Sequence, residues 1–172
     1  IKDHYKIISA ENKVLIPGVI DDQVHFREPG LTHKATINSE SKAAVAGGIT
    51  SYIEMPNTIP QTTTLKALED KFELAKNNYY ANYSFMFGGT NENIEEIKKL
   101  DKKKVAALKL FLGSSTGKML VDDQKVLKEI FENTDLLIAV HSEDEKIINK
   151  NLTLFKSKFG DKIPFDCHSK IR

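Results

Sequence analysis

The chain has 172 residues, of which 40% are hydrophobic and 28% are charged, a composition typical of a globular protein. The 25 lysine and arginine residues nearly balance the 24 aspartate and glutamate residues, so the net charge of +1 gives no reason to expect nucleic acid or a membrane surface as a partner. One cysteine, Cys167, excludes an internal disulfide framework and suits a reducing cytosol, so we expect a cytoplasmic protein.

Apolar, strand-like runs alternate with amphipathic helical runs along the chain. The predicted strands are Val14–Phe26, Ile49–Met55, Tyr83–Gly88, Val105–Leu112 and Leu136–His141. The segment near Ile163–Cys167 is either a weaker sixth strand or a loop. The predicted helices are Thr36–Ala46, Thr64–Asn77, Asn91–Leu100, Asp122–Asn133 and Glu143–Phe159, with Asn91 as a candidate N-cap for the third. Such alternation indicates βαβ units and a parallel α/β sheet.

Two architectures fit this alternation: a doubly wound open sheet and a (β/α)₈ TIM barrel. Neither glycine-rich nucleotide-binding loop of the open sheets follows any predicted strand. Polar residues recur instead at the carboxyl ends of the strands: Gln23, His25, Arg27, Asn57, Lys109 and His141. In a barrel those ends converge on the face where the active site is built, so the pattern favours a barrel of which about five units are present.

Two histidines and one glutamine are candidate metal ligands. His25 and His141 each end a strand, and imidazole suits zinc, iron or nickel. Gln23 precedes His25 by two residues, so an ideal strand would place both side chains on the same side. Each histidine taken alone is better explained as a hydrogen-bonded structural residue, and the two together make a metal site as well supported as that alternative.

Lys109 lies inside the apolar string VAALKLFLG, where a charged amine would carry a large desolvation cost. Burial lowers the pKa of a lysine and favours the neutral amine, which can take up carbon dioxide and form a carbamate that bridges metal ions. The alternative is a lysine that extends outward or pairs with a carboxylate.

Arg27 and Asn57 are candidate substrate-binding residues. A guanidinium offers a planar fork for a carboxylate, and a nearby amide adds a further donor. The alternatives are a surface salt bridge for Arg27 and a turn residue for Asn57 in the string PNT. His4, His33 and His168 fall in loop-like contexts and are not assigned to the site.

Five strings, taken in order, resemble the class I dihydroorotases of the amidohydrolase superfamily. They are PGVIDDQVHFREPGLTHK, AAVAGGIT, EMPNT, LKLFLGSSTG and VHSED, and together they cover most of residues 14–145. The resemblance implies a (β/α)₈ barrel of which residues 17–172 form the N-terminal part. Residues 1–16 would be a remnant of a small β-domain.

The resemblance also implies a site and a reaction. His25, Lys109 (as a carboxylated lysine) and His141 match metal ligands of a zinc site with one or two ions, and Arg27 and Asn57 match the residues that hold the substrate carboxylate. The implied reaction is the reversible cyclisation of N-carbamoyl-L-aspartate to (S)-dihydroorotate in pyrimidine biosynthesis, by metal-activated hydroxide. Family members of this type are often homodimers.

The chain departs from the family pattern at several positions. Gln23 stands where the first histidine of the HxH motif is expected, so its role as a ligand is doubtful. The strand 6 histidine and the strand 8 general-base aspartate are not in the sequence, so we expect these residues alone to be inactive and further units to exist. A non-catalytic dihydroorotase-like subunit and another cyclic-amide hydrolase, such as an allantoinase or hydantoinase, are the alternatives.

Overall fold

Five parallel strands form the sheet at the centre of the protein. The computed structural model describes residues 7–113 and 117–172. The strands are β1 (Val19–Val24), β2 (Ile49–Glu54), β3 (Asn82–Gly88), β4 (Ala107–Phe111) and β5 (Ile138–His141). Each strand pairs in parallel with the next one in sequence, in the order β1-β2-β3-β4-β5.

Helices connect or follow these strands. They are α1 (Ile37–Ala46), α2 (Leu65–Ala75), α3 (Ile94–Ile97), α4 (Gln124–Glu132), α5 (Glu145–Phe159) and α6 (His168–Ile171), with a 3₁₀ helix at Phe165–Cys167. Side chains of Thr36, Thr64, Asp123 and Asp144 accept backbone N–H groups at the starts of α1, α2, α4 and α5, which fixes where those helices begin. Across the described part of the chain, no helix is long and apolar enough to cross a membrane.

The strand order distinguishes between the two predicted architectures. A doubly wound sheet reverses its strand order at a switch point, whereas a barrel adds each new strand beside the previous one. The observed order is sequential throughout, with every pair parallel. The sheet is therefore five consecutive strands of a (β/α) barrel, as the polar strand ends predicted.

The two sides of the sheet carry different side chains. The side covered by helices holds the main hydrophobic core, in which Phe85, Phe87, Leu108 and Leu110 pack against residues of the helices, including Leu68. The opposite, inner side holds a smaller apolar cluster of Met55, Met86 and Ala107, with Ile53 and Ala139 packed against it. Alternation along β4 thus places Leu108 and Leu110 on the helix side and Lys109 on the inner side.

Two predicted strands differ from the observed elements. β1 is shorter than Val14–Phe26, because Pro17 and Gly18 interrupt the run and pairing with β2 begins only at Val19. Val14 and Leu15, which precede the strand, are 86% and 92% exposed. Of the two alternatives near Ile163–Cys167, the sixth strand is wrong, since the chain forms a 3₁₀ helix directly after Pro164.

The predicted N-cap at Asn91 is also wrong. α3 begins at Ile94 with Asn93 at the N-cap, and it is only four residues long. The Asn91 amide instead donates to Asp122 Oδ1 over 2.8 Å. The Asn93 amide donates to the carbonyls of Thr63 and Gly88, both over 2.8 Å, and so ties the loop after β3 to the loop before α2.

Leu108 provides a test of this division of the sheet. Leu108→Ala should lower the free energy of unfolding by about 3 kcal/mol, because Leu108 is fully buried in the helix-side core. The measurement is urea denaturation followed by circular dichroism. Ile20→Ala in β1 is the control, since Ile20 is 65% exposed and its truncation should change stability little. Equal losses in the two variants would contradict the assignment of the core.

Candidate functional site

The inner side of the sheet brings several of the predicted site residues to one edge. Val24 and Phe26 pack into a cluster on the helix side, so His25 between them faces the other way. Lys109 faces the inner side between Ala107 and Phe111. His141 ends β5 and pairs in register with Phe111, with its ring centroid 6.1 Å from that of Phe111.

His25 is held by Asn57, a contact that the sequence did not predict. His25 Nδ1 lies 3.0 Å from Asn57 Oδ1. An amide oxygen only accepts hydrogen bonds, so Nδ1 must carry the proton and donate it. Burial lowers the pKa of His25, and the positive charge of Arg27 lowers it further. The imidazole is therefore neutral near pH 7, and its Nε2 lone pair is available to a ligand or metal.

Lys109 is buried, with 3% of its surface exposed. Its backbone pairs with Gly88 on one side and Ala139 on the other, which places it in the middle of the sheet. Within the described residues its amine forms no ion pair, and Nζ lies 5.2 Å from the centroid of the Phe111 ring. Burial lowers the pKa of Lys109. These surroundings favour a neutral amine over an ammonium ion.

His141 is much more open than Lys109, with 45% of its side chain exposed. Its Nε2 lies 3.6 Å from Glu143 Oε2, and Glu143 also forms an ion pair with Arg172. The ring therefore stands at the end of β5 with a carboxylate nearby. The structure places it on the same side of the sheet as Lys109, two residues past the register partner of that lysine.

The local geometry around Gln23 departs from an ideal strand. The register of β1 against β2 shifts between Asp21 and Val24, so that three steps along β1 span two steps along β2. Such a bulge re-aims the side chains within it. Gln23 is exposed, and its backbone N–H donates to Asp21 Oδ1 over 3.2 Å. Simple alternation therefore does not fix the direction of Gln23, and its role as a ligand stays a prediction.

Whether a metal ion could bind at this edge of the sheet depends on the donor atoms that the candidate residues supply. The described residues contain no group of three or more His, Cys, Asp or Glu side chains arranged to hold a metal ion. Of the predicted set, His25 and His141 supply imidazole and Lys109 supplies an amine. A carbamate on Lys109 would supply the anionic oxygen donors that this set otherwise lacks, whereas an ammonium ion has no free electron pair to donate. The neutral amine favoured by burial is the form that can become a carbamate.

The loop after β1 and the loop after β2 are locked together. Ile59 N–H donates to the Pro29 carbonyl over 3.0 Å. Gly30, at φ +82°, lies so close to Ile59 that an added Cβ would come within 2.0 Å of the Ile59 carbonyl oxygen. Glu28 Oε2 accepts the Ile37 N–H over 2.7 Å and so joins the same loop to the start of α1.

Sequence reasoning missed one buried pair, Glu54 and Lys71. Lys71 Nζ lies 2.7 Å from Glu54 Oε2 between β2 and α2, and both side chains are essentially unexposed. A signal was present in the sequence, because Lys71 follows Leu68 by three residues and precedes Ala75 by four, on the buried stripe of α2. Glu54 likewise interrupts an apolar strand between Ile53 and Met55.

The fold and site together define a class of protein. The L-hydantoinase (dihydropyrimidinase) from Arthrobacter aurescens has a similar structure, with a TM-score of 0.81 and 30% sequence identity over 92% of this chain and 37% of that one. The chain is thus part of a (β/α)₈ barrel of the amidohydrolase type.

Sequence comparison identifies the family within that class. Dihydroorotases from Methanosarcina mazei and Methanosarcina acetivorans are 39% and 37% identical to the chain, each over 96% of its length. The chain spans about a third of those relatives, 36% and 35% respectively. Residues 12–156 match the dihydro-orotase-like family, to which this chain therefore belongs.

Gly30 provides a test of the lock between the two loops. Gly30→Ala should destabilise the protein by more than the roughly 1–2 kcal/mol of a left-handed alanine, because its Cβ also collides with Ile59. Urea denaturation measures the loss. Gly48→Ala is the matched control, since Gly48 has φ +90° and nothing within 4 Å of the added Cβ. A loss no larger at residue 30 than at residue 48 would mean that the close approach to Ile59 is unimportant.

Proposed function

We propose that the protein containing this chain is a dihydroorotase. It would convert N-carbamoyl-L-aspartate reversibly to (S)-dihydroorotate by closing an amide bond with loss of water. The observation that carries the proposal is the joining of the HFREPG and MPNT loops beside His25, in a chain 37–39% identical to curated dihydroorotases. The same proposal includes a small polar molecule as the substrate, the cytoplasm as the cellular location and a homodimer as the oligomeric state.

His25, Lys109 and His141 are the residues that would hold zinc. The hydrogen bond from Nδ1 to Asn57 leaves Nε2 of His25 as the donor atom, and the buried Lys109 would contribute carbamate oxygens. His141 would approach from the end of β5. A bound zinc ion would supply Lewis-acid polarisation of a carbonyl and lower the pKa of water. The exposed position of His141 and the bulge at Gln23 are compatible with either one ion or two.

Arg27 and Asn57 are the residues that would bind the substrate carboxylate. Arg27 directly follows the buried Phe26, and its positive charge lowers the pKa of His25, which supports a role for the guanidinium beside the ring. Asn57 uses Oδ1 to accept from His25, so its two Nδ2 hydrogens remain for a substrate oxygen. The paired donors would orient the substrate while the carbonyl carbon lies toward His25 and Lys109.

Gln23 favours a second candidate, a non-catalytic subunit that keeps the fold. A glutamine carbonyl oxygen is a harder and weaker zinc ligand than imidazole. The retained neutral His25 and buried Lys109 argue for the enzyme, because a purely structural protein has no chemical need for a lone buried amine on this side of the sheet.

The test of this function is cyclisation of N-carbamoyl-L-aspartate by the intact protein, together with metal analysis. Zinc and turnover are expected in the parent, and Lys109→Ala should lose both, since it removes the carbamate. Lys102→Ala is the control, because Lys102 is exposed in a turn. A parent without zinc or turnover would exclude the enzyme and favour the non-catalytic subunit. Unchanged zinc in Lys109→Ala would exclude the carbamate.

Gln23→His should bind zinc at least about tenfold more tightly than the parent, because imidazole replaces a weaker oxygen donor. Competition with a chromogenic chelator measures the affinity. Asp22→His is the matched control, as Asp22 is the neighbouring exposed residue in the same bulge. A gain at residue 22 alone would show that the bulge presents that position to the metal, and no gain at either would show that the site ends at His25.

A further inference from the structure

The buried Glu54–Lys71 pair lies on the helix side of the sheet, away from the predicted ligands. The side-chain exposures are 0% for Lys71 and 1% for Glu54, and the charged atoms are 2.7 Å apart. Lys71 Nζ also donates to the Met55 carbonyl over 3.0 Å and lies 5.0 Å from the centroid of the Phe85 ring. Removing two charges from water is costly, and apolar replacements are often equally stable, so stability alone does not explain such a pair.

The second carboxylate oxygen of Glu54 reaches into the loop after β1. Glu54 Oε1 accepts the backbone N–H of Arg27 over 3.1 Å. Arg27 has φ +69°, a left-handed conformation that a non-glycine residue adopts only when its surroundings impose it. The Arg27 carbonyl in turn accepts the Leu31 N–H over 3.1 Å. Both backbone polar groups of Arg27 are thus fixed, one of them by the buried pair.

We propose that Glu54 and Lys71 are positioning residues for Arg27. Glu54 holds the Arg27 backbone in its left-handed turn and so aims the guanidinium toward the edge where His25 and Asn57 lie. This inference rests on the proposed function for its reference to substrate, since Arg27 is the residue assigned to the substrate carboxylate. Glu54 contacts Arg27 at its backbone N–H, and among the described residues neither member of the pair forms a hydrogen bond with His25, Lys109 or His141.

Lys71 favours the ionised form of Glu54 against the effect of burial, which leaves the pKa of Glu54 raised overall. Burial raises the pKa of Glu54, which alone would favour a neutral carboxyl group, and the adjacent Lys71 charge opposes that rise. An ionised carboxylate accepts a stronger hydrogen bond from an N–H group than a neutral carboxyl does. The bond from Lys71 to the Met55 carbonyl also ties the amine to the end of β2, beside Glu54.

Two double variants separate positioning from stability. Glu54→Met with Lys71→Met replaces the pair by apolar side chains of similar length and removes the acceptor for Arg27. Glu54→Gln with Lys71→Met also removes both charges but keeps an amide oxygen at that position. Four measurements are made on the intact protein. They are thermal unfolding, the hydrogen-exchange rate of the Arg27 amide by NMR, the zinc content, and KM and kcat for N-carbamoyl-L-aspartate.

Both double variants should fold and keep zinc. In the double methionine variant, exchange of the Arg27 amide should accelerate roughly tenfold or more, because a hydrogen bond to a charged acceptor is lost. KM should rise roughly tenfold with a smaller change in kcat, as expected when substrate binding is misaligned. The glutamine variant should lie between the parent and the double methionine variant in both measurements, because its amide oxygen still accepts the Arg27 N–H but carries no charge. Arg27→Lys in the parent should raise KM while leaving the exchange of that amide unchanged.

Several outcomes would overturn the proposal. Unchanged exchange and KM in the double methionine variant would do so, and so would equal losses in both double variants, since the acceptor at residue 54 would then not matter. Rapid exchange of the Arg27 amide in the parent would overturn it even if the variants fail to fold. If the parent shows no turnover, the proposed function fails, while the exchange measurements still decide whether Glu54 holds Arg27.

Discussion

In a parallel sheet, alternate residues of each strand face opposite sides of the sheet, so they must suit two different environments. The carboxyl ends of all the strands lie at the same edge of the sheet. Here β4 shows the constraint most clearly. Leu108 and Leu110 are completely buried against the helices, and Lys109 between them faces the inner side. The same rule turns His25 away from Val24 and Phe26. The chemistry of the edge depends on this alternation, because it delivers polar groups to one side without interrupting the apolar packing of the other.

The fold was predictable because its evidence is local in the sequence. Apolar runs, helical spacing and polar strand ends indicated five βα units, and the sequential parallel order confirms a partial barrel. The wrong predictions concern segments in which a local sequence pattern is overridden by another residue or contact. Asn91 is a suitable cap in isolation, but it pairs with Asp122, and Asn93 takes the N-cap position. The run Ile163–Cys167 is apolar enough for a strand, yet Pro164 directs it into a 3₁₀ helix.

The burial of Lys109 was predictable from the sequence, whereas the contacts between the candidate site residues were not. Lys109 is buried as its sequence context predicted, and its pKa is lowered as a desolvated amine requires. The hydrogen bond between His25 and Asn57 joins residues 32 positions apart, so no local pattern shows it. The bulge in β1 arises from pairing with β2, which is why the direction of Gln23 could not be deduced from spacing in a single strand.

The close approach of Gly30 to Ile59 has a consequence for the entropy of binding. Arg27 and Asn57 lie on different loops, and independent loops would each have to be ordered when a ligand arrives. The hydrogen bond between Ile59 and Pro29 and the contact at Gly30 make the two loops a single body. The conformational entropy of the two loop backbones is therefore lost once, during folding, and a ligand bound as proposed would meet both loops already joined.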